Sequence, residues 1–582
     1  MADPEVGLAW QDSKIGGETT GKDWSSSTSF PAQSPPEDSR HVSSELEKKS
    51  LDEGPRRDKD ASSLDDANGI IELYLSFDTD LPAPYIEKLS DHARKNLPPA
   101  PSLAKFQSPL QWKSSRKTVI LCLGCIGTCL TAFSAGGYSP GALQMEDEWH
   151  VSHTAILVGI TMFTCGFGIA PMLLAPFSEI NGRKPVFLIT GILFALCQLF
   201  CAITRSYAGM LLARFFLGVG GSTFSTMVGG VVSDIYSARD RNAAMAVFSA
   251  SAMFGTGLGP LICGFIAQHL SWRWQFYLQF IMDSTLVILI AVLFSETRGS
   301  VLLSRKGKAL NAWYEKLEAA GCPGVCTPNS SPRRIRWKVA SDEERASIVT
   351  MLRISISRPF HLLFTEPILF SFSLWVTFSW MVLYLTLAAI PLVYAEVYNF
   401  DIQSQGAMFA SLCIAAILFT PITILQEKWA YKYNWFHFRQ RSAAPEHRLI
   451  FSCVQSLLLP IGLFIFGWAS RANISPAVGA LGLMLATCGI FSIYLATFNY
   501  LADVYGVYAS SALAAQSFCR NMAGGAIPLF TGAMYHKLGI GPASSVLGAI
   551  GLLLGVVPWV LLFWGERIRK RSPFAIGGKT GG

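Results

Sequence analysis

Long apolar segments alternate with short polar segments over most of this chain. From Thr118 to Trp564, runs of mostly apolar residues recur with charged breaks between them, and about 20 such residues suffice for a helix to cross a bilayer. Since a helix satisfies its own backbone hydrogen bonds in lipid, the pattern predicts an all-α membrane protein. The 12 predicted spans are residues 118–140, 154–176, 185–205, 207–232, 244–268, 274–295, 367–394, 405–425, 448–469, 476–500, 509–534 and 543–565.

The polar segments divide the chain into five parts. Residues 1–111 are rich in Ser, Pro, Glu and Lys, a composition that predicts a disordered cytosolic tail. Six spans then form each of two halves, 112–296 and 362–566, which a polar cytosolic loop at 297–361 separates, and a cytosolic tail follows at 567–582. Repeated halves are typical of secondary transporters, which bind their substrate near the midplane between the halves.

Composition and charge agree with a membrane protein. Hydrophobic residues make up 51% of the chain and charged residues only 15%, which excludes an ordinary soluble domain. The chain has a net charge of +7, and its basic residues are concentrated in alternate loops, for example at Lys113, Arg116 and Lys117 before the first span. This positive-inside pattern predicts that both termini are cytosolic. It also favours the lipid bilayer as a partner over nucleic acid.

A charged stretch, "PFSEINGRKPVF", lies between the second and third spans. Gly182 permits a tight turn there, and Arg183 is long enough to reach a carboxylate on a neighbouring helix end. Glu179 and Asp234 are the candidate partners. One interpretation is a charged latch that holds the helix ends together; the alternative is simple positive-inside topology, which Lys184 serves.

Three charged residues fall inside the spans: Arg214, Asp283 and Arg520. Charges at that depth are costly, and they usually face a cavity or a partner. Asp283 lies about nine residues into its span, near the midplane, and is the leading candidate for a proton carrier. The alternatives are a polar contact between helices for Asp283 and hydrogen bonds to helix-end carbonyls for the arginines.

Two further groups are candidates for packing or substrate contact. Small residues that let helices pack closely are grouped in the fifth span, at Gly255, Gly257, Gly259, Pro260 and Gly264. Aromatic residues that suit flat apolar cargo lie in the seventh and tenth spans, where lipid-facing packing is the alternative. They are Trp375, Phe378, Trp380, Tyr384, Phe491, Tyr494, Phe498 and Tyr500, with Asn499 among them.

Several of these stretches, in order, resemble the motifs of one family. "APMLLAPFSEINGRKPVF", "RFFLGVGGSTFSTMVGGVVSDIY" and "GTGLGPLICGFIAQHLSWRWQFY" are similar to motifs of the fungal 12-span drug:proton antiporters of the major facilitator superfamily, as are "PEHRL" and "NYLADVYGVYASSALAAQSFCRNMAGGAIPLF" further along. The resemblance runs from about Trp112 to Ser572. It implies the major facilitator fold and transport by alternating access, in which the halves rock about a central cavity.

The resemblance also implies roles for individual residues. The charges around Gly182 would form a gate, Arg214 would assist proton coupling, and the fifth-span motif would mark an exporter. In one place the sequence departs from the family, because Ala388 stands where many relatives have a glutamate. The missing acid makes a polycationic substrate such as a polyamine a weaker prediction.

The sequence therefore predicts an exporter rather than an enzyme. Its expected partners are protons and a small, largely apolar organic substrate such as a drug, toxin or secondary metabolite, and its expected location is the plasma membrane. The proton gradient would supply the energy, without a cofactor or metal ion, and a monomer would suffice. An uptake symporter and a polyamine transporter on the same fold are the alternatives.

Overall fold

A computed structural model gives the structure of this protein. It describes residues 70–82, 84, 97–237, 240–322, 324–325, 333–343, 348–434 and 444–575. Residues 1–69 of the predicted disordered tail and 576–582 of the C-terminal tail lie outside the described residues.

Twelve long helices occupy the positions of the predicted spans. They are α1 (Ser114–Gly136), α2 (His153–Asn181), α3 (Arg183–Ile203), α4 (Tyr207–Ile235), α5 (Arg241–His269), α6 (Arg273–Leu293), α7 (Pro367–Tyr398), α8 (Ile402–Tyr433), α9 (Pro445–Ala469), α10 (Pro476–Tyr505), α11 (Ala509–Leu538) and α12 (Ile540–Arg569). Of these, 11 are long and apolar enough to cross a membrane. The other, α11, is 30 residues long but carries Gln516, Arg520 and Asn521 in its middle.

Three of these helices are built from shorter pieces. Helix α8 consists of Ile402–Met408 and Ala410–Tyr433, and α12 of Ile540–Leu554 and Val557–Arg569. Helix α9 begins with a 3₁₀ turn at Pro445–Leu449 and continues as Ile450–Gln455 and Leu458–Ala469. A short helix, Ala142–Trp149, follows α1.

Polar side chains and glycines set the helix ends. Ser152 and Ser206 accept hydrogen bonds from the backbone of the first turns of α2 and α4, and Asp401 does the same for α8, which satisfies donors that a helix start leaves unpaired. Gly182 joins α2 directly to α3 with a φ of 100°. Because L side chains rarely adopt that φ, the sharp reversal between these helices requires glycine.

The helices pack as two halves, α1–α6 and α7–α12. Between the halves, α2 packs on α11, and α5 packs on α8 and α10. A hydrogen bond of 2.8 Å from Thr161 Oγ1 to the carbonyl oxygen of Gly525 joins α2 to α11. We call the side where α1 begins and α12 ends the terminal face, and the opposite side the distal face.

A small folded unit occupies part of the predicted tail and central loop. Strand β1 (Ile70–Tyr74) pairs in parallel with β2 (Arg334–Lys338), and both lie beside a helix at Gly299–Ala319. Further helices at Ala340–Glu343 and Ile348–Thr365 lead into α7. The prediction of disorder over 1–111 therefore differs from the structure at residues 70–74, because each short strand finds its partner only far away in the chain.

Candidate functional site

A cavity opens between the halves toward the distal face. Its volume is about 420 Å³, and both halves supply its walls. The first half contributes Ser139, His153, Leu157 and Pro260, and the second contributes Ala388, Pro391, Phe409, Pro528 and His536, among others. Most of the lining is apolar. None of the residues found in this lining is a carboxylate, so the wall suits neutral or anionic cargo better than polycations.

Polar contacts close the terminal face between the halves. Arg241 of α5 lies 3.9 Å from Asp503 of α10, and Asn499 donates a hydrogen bond of 2.9 Å to Asn242. Asn242 also bonds Glu427 of α8. Asn499, which the sequence predicted as a substrate contact, is therefore part of this closure.

Arg448 supports the same contacts from within the second half. It forms ion pairs of 3.1 Å with both Glu427 and Asp503, the two acids that face the first half. These three residues were not among the predicted site residues. Arg448 and Asp503 do lie in the quoted stretches "PEHRL" and "NYLADVY", which was the available signal. We call Arg241, Asn242, Glu427, Arg448 and Asp503 the terminal gate.

Arg183 pairs with Asp234, one of its two predicted partners, and Arg298, which was not predicted, joins them. Arg183 Nε lies 3.3 Å from Asp234 Oδ2, and Arg298 lies 3.5 Å from Oδ1, so each carboxylate oxygen faces one arginine. Arg183 also donates to Ser178 Oγ at 2.8 Å. A Cβ at Gly230 would lie 2.8 Å from the Arg183 guanidinium, so this glycine makes room for the arginine.

Glu296, which was not among the predicted site residues, anchors the start of α3. Its carboxylate accepts hydrogen bonds from the backbone N–H groups of Arg183 at 2.8 Å and Lys184 at 3.2 Å. A Cβ at Gly182 would overlap this carboxylate, which is a second reason for glycine there. The Lys184 side chain binds the carbonyl oxygen of Ala291. Glu179, by contrast, has no hydrogen bond or ion pair within the described part of the chain, so its predicted pairing with Arg183 is not formed.

Asp283 is buried in the first half, with 2% of its surface exposed. Its polar neighbour is Gln198 of α3, which donates to Ser134 Oγ at 2.9 Å and to Gln279 at 2.8 Å. Asp283 Oδ2 and Gln198 Oε1 have no donor among the described residues. A protonated Asp283 carries a donor, whereas the ionised form carries none.

Arg214 is fully buried and joins three helices. It donates to the carbonyl oxygens of Ser134 in α1, at 3.0 Å, and Gly159 in α2, at 3.2 Å. Its guanidinium lies over the rings of Tyr138 and Phe163. Ser134 is thus shared, because its hydroxyl binds Gln198 and its carbonyl binds Arg214. Ser134 therefore joins Gln198, the polar neighbour of Asp283, to Arg214.

The small residues of α5 face two directions. A Cβ at Gly255 or Gly259 would strike the backbone of α1. A Cβ at Gly257 would lie 2.9 Å from Leu412 Cβ and from the Phe409 carbonyl oxygen, and one at Gly264 would lie 3.1 Å from Gly406 Cα. The fifth-span motif therefore packs α5 on α1 within its half and on α8 across the boundary between the halves.

Arg520 of α11 is fully buried among aromatic rings. Its guanidinium carbon lies 4.5 Å from the ring centre of Trp380, 4.9 Å from that of Tyr494 and 5.5 Å from that of Phe498. Trp380 and Tyr494 stack at 5.2 Å and 20°, and Tyr384 packs beside Trp380 at 6.2 Å. We call Arg520, Trp380, Tyr494 and Phe498 the aromatic cage.

The other aromatic candidates serve packing inside the second half. Trp375 and Tyr500 pack on Phe372 at 5.9 and 4.9 Å, and Phe491 packs on Phe419 at 5.6 Å. Phe378 faces α12, where a Cβ at Gly551 would lie 3.4 Å from its ring. None of the predicted aromatic residues lines the 420 Å³ cavity.

Comparison with known proteins agrees with this architecture. The family model described as Major Facilitator Superfamily matches residues 124–528, more than half of the chain. The multidrug transporter FLR2 of Candida glabrata is 29% identical over 478 residues, which cover 81% of this chain and 77% of that protein. The efflux pump bik6 of Gibberella fujikuroi is 30% identical over 476 residues, 80% of this chain and 93% of that protein.

Among solved structures, the proton:xylose symporter XylE of E. coli superimposes with a TM-score of 0.56 at 14% identity, over 78% of this chain and 97% of that one. At that identity the likeness bears on the fold alone, and it agrees with the predicted fold of 12 helices in two halves. The chain therefore belongs to the major facilitator superfamily, whose members are membrane transporters and not enzymes.

Proposed function

We propose that this protein exports small, largely apolar organic molecules from the cytosol in exchange for protons. The observation that carries the proposal is the asymmetry between its two faces. A cavity of about 420 Å³ opens between the halves on the distal face, while ion pairs and hydrogen bonds close the terminal face. A transporter that exposes its site to one side at a time requires these two conditions together.

The names of the relatives support the direction of transport. FLR2 is named a multidrug transporter and bik6 an efflux pump. The distal cavity supports a largely apolar substrate, because its lining is mostly apolar and the described lining residues include no carboxylate. Ala388, which stands in place of the family's glutamate, is one of these lining residues. Both features count against a polyamine as the substrate.

The proton is assigned to Asp283. It is an acid buried within an apolar span, where its charged form is costly. It lies beside Gln198, which donates to the Ser134 hydroxyl, and the Ser134 carbonyl oxygen accepts from Arg214. Binding of a proton to Asp283 would change hydrogen bonding along this chain of side chains. Arg214 would carry the change to α1 and α2, whose distal ends border the cavity.

The terminal face is assigned to the cytosol. Lys113, Arg116, Lys184 and Arg569 all lie at that face, as the positive-inside rule requires. The distal cavity then opens to the outside of the cell, with the plasma membrane as the location. We further assign the cluster of Arg183, Asp234 and Arg298 as the latch that holds the outward-facing form. The cycle is assigned to a monomer, with the proton gradient as its energy source and no cofactor.

The test is the accumulation of fluorescent dyes, fungicides and aromatic metabolites by cells with and without this protein. We expect lower accumulation of some compounds, reversed by a protonophore. Higher accumulation in cells with the protein would identify an importer instead. Lower accumulation that a protonophore leaves unchanged would overturn proton coupling while retaining export.

A further inference from the structure

The aromatic cage contains more hydrogen-bond donors than acceptors. Within the described part of the chain, none of the guanidinium nitrogens of Arg520 has an acceptor, and neither does Trp380 Nε1 nor Tyr494 Oη. Arg520, Trp380 and Tyr494 are all buried. Buried donors without a partner are costly, so a cluster of them indicates a group that arrives to accept their hydrogen bonds.

Gln516 adds a further unpaired group on the same side of α11. It lies four residues before Arg520, hence on the same helix face, and it is fully buried. Neither its amide nitrogen nor its amide oxygen has a partner among the described residues. Three side chains on α7, α10 and α11 thus contribute free donors to the cage, and Gln516 lies one turn away on α11 with a free donor and a free acceptor.

The charge of the cage is also uncompensated. No carboxylate of the described residues lies within ion-pair distance of Arg520; the described ion pairs of the second half occur instead at the terminal gate, at Arg569 with Glu446, at Lys570 with Glu566 and at His536 with Glu396. The aromatic faces attract the cation but accept no full hydrogen bonds from it. A buried cation in this setting gains most from an anion that brings its own charge.

We propose that the aromatic cage binds the anionic group of an organic acid, with Arg520 as its counter-ion and Trp380 and Tyr494 against its ring. The inference rests on the proposed export function and narrows its cargo to acids that carry an aromatic ring. A carboxylate can accept two parallel hydrogen bonds from one guanidinium, which gives the pair a fixed orientation.

The position of the cage fits a substrate that passes between the halves. Arg520 lies eight residues before Pro528, which lines the distal cavity, so the cage is about 12 Å deeper along α11. Gly524 lies between them on α11. Its lack of a side chain lets the Trp380 ring pack closely on this helix, because a Cβ there would lie 3.1 Å from that ring. On the other side, Phe498 touches Phe248 of the first half at 6.3 Å. Both halves therefore meet at the cage.

A charged cargo changes the electrical balance of the cycle. Export of one monovalent anion carries one negative charge outward, and each exchanged proton carries one positive charge inward. The net effect equals at least two positive charges moved inward per cycle. An inside-negative membrane potential therefore drives export of the acid more strongly than export of a neutral compound of the same shape. This difference gives the proposal a second readout that is independent of affinity.

The test uses the purified full-length protein and two probes of nearly the same size and shape, the anion 1-naphthoate and the neutral amide 1-naphthamide. Binding is measured at pH 7 by equilibrium dialysis. We expect the acid to bind about 10-fold to 100-fold more tightly than the amide, the range for hydrogen bonds to a charged group. Equal binding of the two probes to the wild-type protein would overturn the proposal without any variant.

Variants then locate the preference. Arg520→Gln should lose the preference for the acid and keep its affinity for the amide, and Arg520→Lys should recover part of the preference. Arg471→Gln is the matched control, because Arg471 is exposed and lies 5.2 Å over the ring of Trp468. An unchanged preference in a folded Arg520→Gln protein would assign the acid to another site and overturn the proposal.

Two further measurements separate this inference from its alternatives. If chloride or inorganic phosphate displaced 1-naphthoate at millimolar concentration, the cage would be a site for small anions and the aromatic part of the proposal would fail. In proteoliposomes, proton-driven movement of neutral dyes without movement of naphthoate would retain export and reject the acid. Tight naphthoate binding without proton-driven movement of any compound would retain the cage and reject the proposed function.

Discussion

Asp283 shows how far a single residue can be interpreted from its surroundings. An acid inside an apolar segment is conspicuous in the sequence. Its position beside the hydrogen-bonded set of Gln198, Ser134 and Arg214 is not, because these residues lie on α3, α1 and α4. The burial of Asp283 explains why a proton would matter here. Its neighbours Gln198, Ser134 and Arg214 indicate how protonation could alter the hydrogen bonds between α3, α1 and α4.

Asp283→Asn should abolish proton-driven efflux and leave exchange of substrate between equal concentrations intact. Asparagine keeps the size and the hydrogen bonds of the neutral acid but cannot release a proton, so we expect pH-driven rates to fall at least about tenfold while exchange stays within about twofold of wild type. The measurement is transport in proteoliposomes with and without a pH gradient. Asp147→Asn, at an exposed acid of the distal face, is the control. Unchanged pH-driven efflux in Asp283→Asn would remove this residue from the mechanism.

Arg183→Ala should slow the transport cycle without weakening substrate binding at equilibrium. Arg298 still faces Asp234 in that variant, so a loss of about 1 kcal/mol in the outward-facing form, about fivefold in the ratio of the two forms, is expected. Arg183→Ala together with Arg298→Ala should give a larger effect than either change alone. The measurement is turnover number alongside dissociation constant. If the double variant turned over at the wild-type rate, these charges would serve only the orientation of the chain in the membrane and not the transport cycle.

At the scale of elements, the contact between α5 and α8 depends on glycines, of which Gly257 is one. Gly257→Ala would place a Cβ 2.9 Å from both Leu412 Cβ and the Phe409 carbonyl oxygen, and such overpacking typically destabilises a protein by about 1–3 kcal/mol. We expect a lower Tm for the purified protein. Gly229→Ala is the matched control on α4, because its Cβ would meet only Met245 Cε, at 3.8 Å. Equal Tm values for both variants would show that α5 and α8 separate easily here.

The small folded unit should weaken in acid through the pair of Glu318 and Arg336. Two hydrogen bonds of 2.7 and 2.9 Å join them, and the arginine lowers the pKa of Glu318. A lowered pKa means that the pair stabilises the unit above the ordinary glutamate pKa, about 4.3, and that this contribution is lost as the pH falls through the lower folded value.

Glu318→Gln should therefore reproduce at pH 7 part of what acid does to the wild-type unit. The pair is partly exposed, so solvent screening limits the expected effect to about 0.5 kcal/mol, or two- to threefold faster hydrogen exchange at Ile71 and Leu73. Glu315→Gln is the control, since Glu315 lies 3.8 Å from Arg336 and is mostly exposed. A larger change in the control than in Glu318→Gln would assign the attachment of the strands to other contacts.

For the whole molecule, the relevant quantity is the balance between its two faces. The terminal gate holds the halves together through Asp503, which faces Arg241 across the boundary and Arg448 within its own half. Asp503→Asn removes the charge that both arginines share. It should shift the resting population toward the form open at the terminal face, by about fivefold for each 1 kcal/mol lost.

Spin labels on the terminal ends of α5 and α10 would report this shift as longer distances between the halves. Glu566→Gln is the control, because among the described residues Glu566 pairs only with Lys570, four residues further along the chain. Unchanged distances in Asp503→Asn would mean that helix packing, and not charge, keeps this face closed.

The sequence by itself determined the spans, the two halves and the charged positions. Long apolar runs leave no alternative to spanning helices in lipid, and charges such as Arg183, Asp283 and Arg520 stand out against them. Only the tertiary structure decided which charges meet. Glu296 and Arg298 lie far from Gly182 in the chain, and the pairing of β1 with β2 joins segments more than 250 residues apart. The same holds for the aromatic cage, because whether an aromatic side chain faces Arg520, lipid or another helix depends on how three helices are rotated against one another, which no local pattern records.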